Sequence, residues 1–306
     1  MKLRIVYMGT PEFAVPPLEL LHEKGYDIAA VITAPDKPAG RGLKLTPSPV
    51  KESAVARGIP VLQPTNLKDP AFLEELRSYK ANLQIVVAFR MLPVAVWDMP
   101  ELGTFNLHAS LLPQYRGAAP INWAIINGET ETGLTTFFLQ HEIDTGDLIL
   151  QETEPIYPTD NVGTLYERLM RKGADLVWRT VQAIEAETVQ PVPQNMAADL
   201  KKAPKIFKET CEIKWGQTAE QVHNFVRGLS PYPAAWTTLL GKTCKIFETR
   251  LLNADEQPTG NQPFVTDQKK YLYLRAADAY LAIESLQMEG KKRMGIEEFL
   301  RGNRVE

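Results

Sequence analysis

The chain has 306 residues, room for about two domains, and its 44% hydrophobic and 23% charged content is that of a soluble protein able to bury a core. Cys211 and Cys244 stand far apart and in no C-x-x-C pair, which argues against a disulfide framework or a thiolate metal site and reads as two buried thiols. The net charge of -3 argues against a wholly basic surface but hides an asymmetry: 17 Lys+Arg against 23 Asp+Glu up to residue 190 (-6), then 17 against 14 (+3).

Near the start, "IVYMG" is broken by Thr10, Pro11 and Glu12 before it reaches signal-peptide length. No other apolar run approaches the roughly 20 residues of a membrane span. A cytoplasmic protein without membrane contact is expected. Segments 3–9, 27–33, 59–63, 83–89 and 103–110 are rich in β-branched and aromatic residues and read as strands, with helical patterns at 12–24, 48–57 and 69–79 between them. Strands apolar on both faces and separated by helices predict a doubly wound α/β domain with a mainly parallel sheet. The segment 34–49 is too rich in Pro and Gly for a helix or a strand and reads as a long functional loop.

"GLTTFFLQ" and "DLILQETEPI" read as two further strands joined through "HEIDTG" (141–146), and Thr164 with Glu167 carries a capping-box signature ahead of a long helix. Residues 188–208 hold three prolines and four lysines without a period and read as a linker. Beyond it Thr218 and Gln221 predict a capped helix, and five short strands follow, the pattern of a small antiparallel β-barrel. The expected division is a domain over 1–189, a linker over 190–207 and an OB-like barrel over 208–306.

The chemistry concentrates in "TFNLHASLLPQYRGAAP" (104–120). Asn106 and His108 are two residues apart on a strand and so share a face. That strand ends at the sheet edge where open α/β sheets bind ligands. Asp144, in a later loop, completes a set of amide, imidazole and carboxylate. An amide and a protonated imidazole donate to an oxygen that becomes negative, and a carboxylate orients the imidazole and raises its pKa. Such a set suits attack on a carbonyl by a nucleophile that the substrate brings. Ser110 is poorly placed as an enzyme nucleophile, the four histidines form no H-E-x-x-H, and "MGTPEF" lacks the full dinucleotide fingerprint. No metal is expected.

"FNLHASLLPQYRGAAPINWAIINGE" with "HEIDTGDLILQ" closely resembles the folate-dependent formyltransferases, and the resemblance runs over nearly the whole chain. "GTPEFAVPPLELL", "PDKPAGRGLKLTPSPVK" (35–51) and "FVRGLSPYPAAWT" resemble the branch of that family that acts on tRNA. The resemblance implies a formyltransferase-like Rossmann variant that uses 10-formyltetrahydrofolate as co-substrate and initiator methionyl-tRNA as acceptor, and a monomer is expected. It implies Asn106, His108 and Asp144 as the catalytic set. Folate contacts are implied for Phe89, Arg90, Met91 and Leu92, for Ser110, Leu111, Leu112 and Pro113, and for Ile143. Lys37, Arg41, Lys44, Lys205 and Lys208 are implied to meet the tRNA. Many members have Gly where Arg90 stands and Asp where Asn82 stands. A formyltransferase or formyl-folate hydrolase acting on a small molecule, and a non-catalytic RNA-binding module, remain as alternatives at this point.

Overall fold

The computed structural model describes residues 2–39, 44–195 and 199–305. The chain divides into two compact units. The first comprises Met1–Arg116, Gly133–Glu154 and Glu167–Lys201; the second comprises Gly117–Thr132, Pro155–Tyr166 and Lys202–Glu306.

Strands up to the site are β1 (Arg4–Gly9), β2 (Asp27–Ile32), β3 (Lys37–Ala39), β4 (Lys44–Thr46), β5 (Val61–Leu62), β6 (Leu83–Val87) and β7 (Thr104–His108). After them come β8 (Arg116–Gly117), β9 (Glu131–Phe138), β10 (Leu148–Pro155) and β11 (Lys202–Ala203). The helices through this part are α1 (Val15–Glu23), α2 (Pro49–Ala56), α3 (Pro70–Ser78), α4 (Val94–Trp97), α5 (Pro120–Ile126) and α6 (Val162–Glu185).

The main sheet has the order β10-β9-β7-β6-β1-β2-β5. β5, β2, β1, β6 and β7 run parallel, and β9 lies antiparallel to β7. Ile5, Val6, Tyr7 and Met8 of β1 are all fully buried, as expected for a parallel strand covered on both faces. The strand order reverses between β1 and β6, where Gly9 pairs with Val87 at the carboxyl ends. This is the edge where such sheets bind ligands. Gly9 is there for packing, since a Cβ on it would stand 2.5 Å from the Cβ of Ala14.

Two helices begin as their sequences dictate: Ser48 caps α2 and Asp69 caps α3, each followed by proline at the first helical position. Two local readings are corrected. The segment 34–49 contains a pair of short antiparallel strands, β3 and β4. Pro38 fits because a two-stranded ribbon has free edges at which a missing N–H is tolerated. The reciprocal cap of α6 is made by Asn161 and Thr164, each backbone N–H bonding the other's side chain, rather than by Thr164 and Glu167. Asn is the stronger cap and starts the helix three residues earlier.

In the second unit, α7 (Ala219–Leu229) is followed by β12 (Ala235–Leu239), β13 (Lys242–Leu251), β14 (Phe264–Thr266), β15 (Leu272–Arg275), β16 (Tyr280–Met288), β17 (Met294–Gly295) and α8 (Ile296–Gly302). The sheet is antiparallel, in the order β12-β13-β16-β15-β14, with β17 on β16. The Thr218 and Gln221 capping box opens α7 as read. Val222, Val226 and Leu229 then pack with Ile246, Ile283 and Phe299. Both cysteines are buried, and burial pushes the Cys244 thiol up to about 12.

Candidate active site

The alternation on β7 puts Phe105 and Leu107 into the core and turns Asn106 and His108 to the other face. His108 is 7% exposed, and its Nε2 lies 2.9 Å from the Tyr115 carbonyl. A carbonyl only accepts, so Nε2 carries the proton and the neutral ring keeps its bare nitrogen at Nδ1. That nitrogen faces Asp144, whose Oδ2 is 4.0 Å away and whose side chain is 12% exposed. Protonation of the ring would create an ion pair at this spot. Asn106 is half-buried, and among the described residues its side-chain amide has no protein partner.

The turn after β7 is held from beneath. Ser110 is fully buried and its Oγ donates to the Gln114 carbonyl at 2.6 Å. Thr135, which pairs with His108 across β9, donates to the Ser110 carbonyl and accepts from the Leu112 N–H. Gln151 donates to the Leu112 carbonyl at 2.8 Å and to Thr135 at 3.0 Å. Leu112 is buried, whereas Leu111 and Pro113 keep partial exposure.

The Asp144 loop is fixed by its backbone. Asp144 has φ of +55°, and a Cβ at Gly146 would fall 1.6 Å from the Phe138 carbonyl oxygen, so only glycine fits there. Gln194 donates to the carbonyls of Asp144 and Gly146. Ile143 projects outward, 61% exposed.

The segment after β6 leaves the same sheet edge, with Met91 73% exposed, Phe89 half-buried and Leu92 buried. The Arg90 guanidinium donates to the carbonyls of Pro64 and Thr65, so it braces a neighbouring loop. Asn82 lies before β6, at the opposite edge, where it bonds the backbone of Lys2 and Arg4. It stands apart from Asn106, His108 and Asp144.

In the second unit, Lys205 and Lys208 are exposed and line a cavity of about 460 Å³ together with Lys245, Tyr232 and Trp236. The Trp236 indole N–H donates to the Lys208 carbonyl, and the Lys205 ammonium sits 5.3 Å from the centre of the Phe207 ring. Lys37 is exposed on β3, Lys44 belongs to β4, and Arg41 lies outside the described residues. The basic turn "EGKKRMG" is internally engaged: Arg293 donates to Ser285 and stacks over Phe247, and Lys292 pairs with Glu298. Among the described residues no group of three metal-ligating side chains occurs, and no helix is long and apolar enough to cross a membrane.

Tyr115, Thr135, Gln151 and Gln194 were not singled out by sequence. Thr135 lies in a continuously buried strand and Gln151 at an exposed strand position, so neither burial pattern separates them from other polar strand residues. Tyr115 acts through its carbonyl, which no side-chain pattern reports. Gln194 sits in a proline-rich stretch without period.

Fold and site together define the class. Residues 1–181 match the family model described as formyl transferase and residues 205–304 match its C-terminal domain, so the chain belongs to the formyl transferase family. Its relatives include methionyl-tRNA formyltransferases. One from Bacteroides thetaiotaomicron is 56% identical over 99% of this chain and 96% of its own length. Another, from Parabacteroides distasonis, is 57% identical over 98% of this chain and 95% of its own. Among solved structures, the N-formyltransferase from Helicobacter canadensis in complex with folinic acid and dTDP-3-aminofucose has a TM-score of 0.68 at 21% identity, over 94% of this chain and 99% of that one. At that identity the likeness concerns the fold.

Proposed function

We propose that the chain transfers the formyl group of 10-formyltetrahydrofolate to the α-amino group of methionine on initiator tRNA. The observation that carries this reading is the convergence of the half-buried Asn106 amide with His108, whose Nδ1 faces Asp144 at 4.0 Å. The amine lone pair forms the new C–N bond and the carbonyl electrons move to oxygen. Collapse of that oxyanion breaks the bond to the folate nitrogen, which takes up a proton as the new amide loses one. Asn106 and the Nδ1–H of protonated His108 donate to the oxyanion, while Asp144 faces the ring and accepts the departing proton.

Folate is taken at the edge formed by residues 89–92, 110–113 and Ile143; Ser110 and Leu112 shape that edge and Met91 and Ile143 present apolar surface to it. Segment 1–189 is the catalytic part, 190–207 the connection and 208–306 the part that positions tRNA, with Lys37, Arg41, Lys44, Lys205 and Lys208 meeting phosphates. One chain carries every named group, so a monomer suffices, and the tRNA substrate places the reaction in the cytoplasm. Incubation with formyl-folate and methionyl-tRNA tests this. Formyl-methionyl-tRNA is the expected product; release of formate alone, with no formylated tRNA, would reject the reading.

A further inference from the structure

The stretch after α6 returns to the catalytic loop. Leu148 and Val192 exchange backbone hydrogen bonds of 2.8 and 3.0 Å, which brings Gln194, 8% exposed, beneath residues 144–146. One amide hydrogen donates to the Asp144 carbonyl at 2.9 Å and the other to the Gly146 carbonyl at 2.8 Å. Its Oε1 accepts from Arg116, from Nη2 at 2.5 Å and from Nε at 3.2 Å. All four hydrogen-bonding positions of the amide are therefore used. Arg116 belongs to the turn that follows β7, so one side chain joins the segment leaving His108 to the loop that presents Asp144.

We infer that Gln194 is a positioning residue for the transfer reaction, holding the Asp144 backbone so that its carboxylate faces His108. The inference rests on the reading of Asp144 as the partner of His108. The loop needs such a hold. Glu142 and Ile143 are exposed, and Asp144 keeps a left-handed φ, a conformation uncommon outside glycine that Asp tolerates better than most residues. A donor pair is required because both groups to be held are carbonyls. A carboxylate at 194 would retain the bond to Arg116 and lose both donors.

The test compares Gln194→Met, Gln194→Glu and Asp144→Asn, alone and combined, by steady-state kinetics with formyl-folate and methionyl-tRNA, scaled to the folded fraction from near-UV circular dichroism. Gln194→Met and Gln194→Glu should each lower kcat on the order of 10-fold or more, as small misplacements do, with KM for both substrates within about twofold. Adding Gln194→Met to Asp144→Asn should cost less than about threefold further, because both changes remove one function. Unchanged kcat per folded molecule, or losses that multiply in the double variant, would overturn the inference while leaving Asp144 in its role. Full activity of Asp144→Asn would reject that role and the inference with it. If Gln194→Met fails to fold, the near-isosteric Gln194→Glu decides, since it keeps the shape and the bond to Arg116 and replaces the two donors with a charged acceptor.

Discussion

Asn106 combines partial burial with an amide that no described protein group engages, so truncating it removes a donor without opening the core. In its proposed role as an oxyanion donor, Asn106→Ala is expected to lower kcat by about 10²-fold or more. KM for tRNA and the unfolding midpoint should stay nearly unchanged, read by steady-state kinetics and a urea titration. His223 yields a separate prediction at the same scale. Burial, and then the nearby Arg227 charge, lower its pKa from 6.5 to about 4, and its Nδ1 lies 2.9 Å from the Thr249 hydroxyl. The unfolded chain therefore takes up this proton first as pH falls. The contribution is complete above about pH 6.5 and is lost progressively toward pH 4, with about 2 kcal/mol gone by pH 5. Urea midpoints at pH 7 and pH 5 check this: His223→Gln should show a smaller difference between the two than the parent chain.

At the scale of elements, the contact between β10 and α6 in the first unit depends on paired charge. Glu154 is 4% exposed; burial acts to raise its carboxyl, but the Lys172 ammonium at 2.6 Å and the Arg168 guanidinium at 2.8 Å outweigh it and hold the pKa below the ordinary value. Glu152 extends the network to Arg179, which also pairs with Asp175. Glu154→Ala leaves two cations without their buried partner and should cost on the order of 2 kcal/mol, measured by denaturant unfolding with kcat per folded molecule unchanged. Apolar runs such as those of β1 and β6 could be read directly from sequence because burial on both faces leaves an unbroken signature. Asn106 and His108 could be read because a strand's period of two puts them on one face. The strands around Pro38, the Asn161 cap and the role of Gln194 could not. Each is decided by a partner distant from any periodic pattern, or by backbone atoms that every residue shares.

For the molecule as a whole, charge determines how tRNA binding should respond to salt. The net charge of -3 opposes a polyanion, and the excess of positive charge lies after residue 190, at +3. Binding must therefore come from local clusters, with Lys205, Lys208 and Lys245 around one cavity of the second unit the leading set. Each phosphate neutralised releases condensed counterions, so the logarithm of the association constant falls linearly with that of the salt concentration, and every lost contact flattens the line by about one unit or less. Lys205→Ala and Lys208→Ala should each weaken methionyl-tRNA binding at low salt and reduce the slope by about 0.7 to 0.9, as for single phosphate contacts. Replacing Lys292, already paired with Glu298, should leave the slope unchanged. Filter binding across a salt series reads all three. Equal slopes for Lys205→Ala, Lys208→Ala and the parent chain would remove these lysines from the tRNA contact, because a lysine that only tethers the surrounding fold has no counterion to exchange.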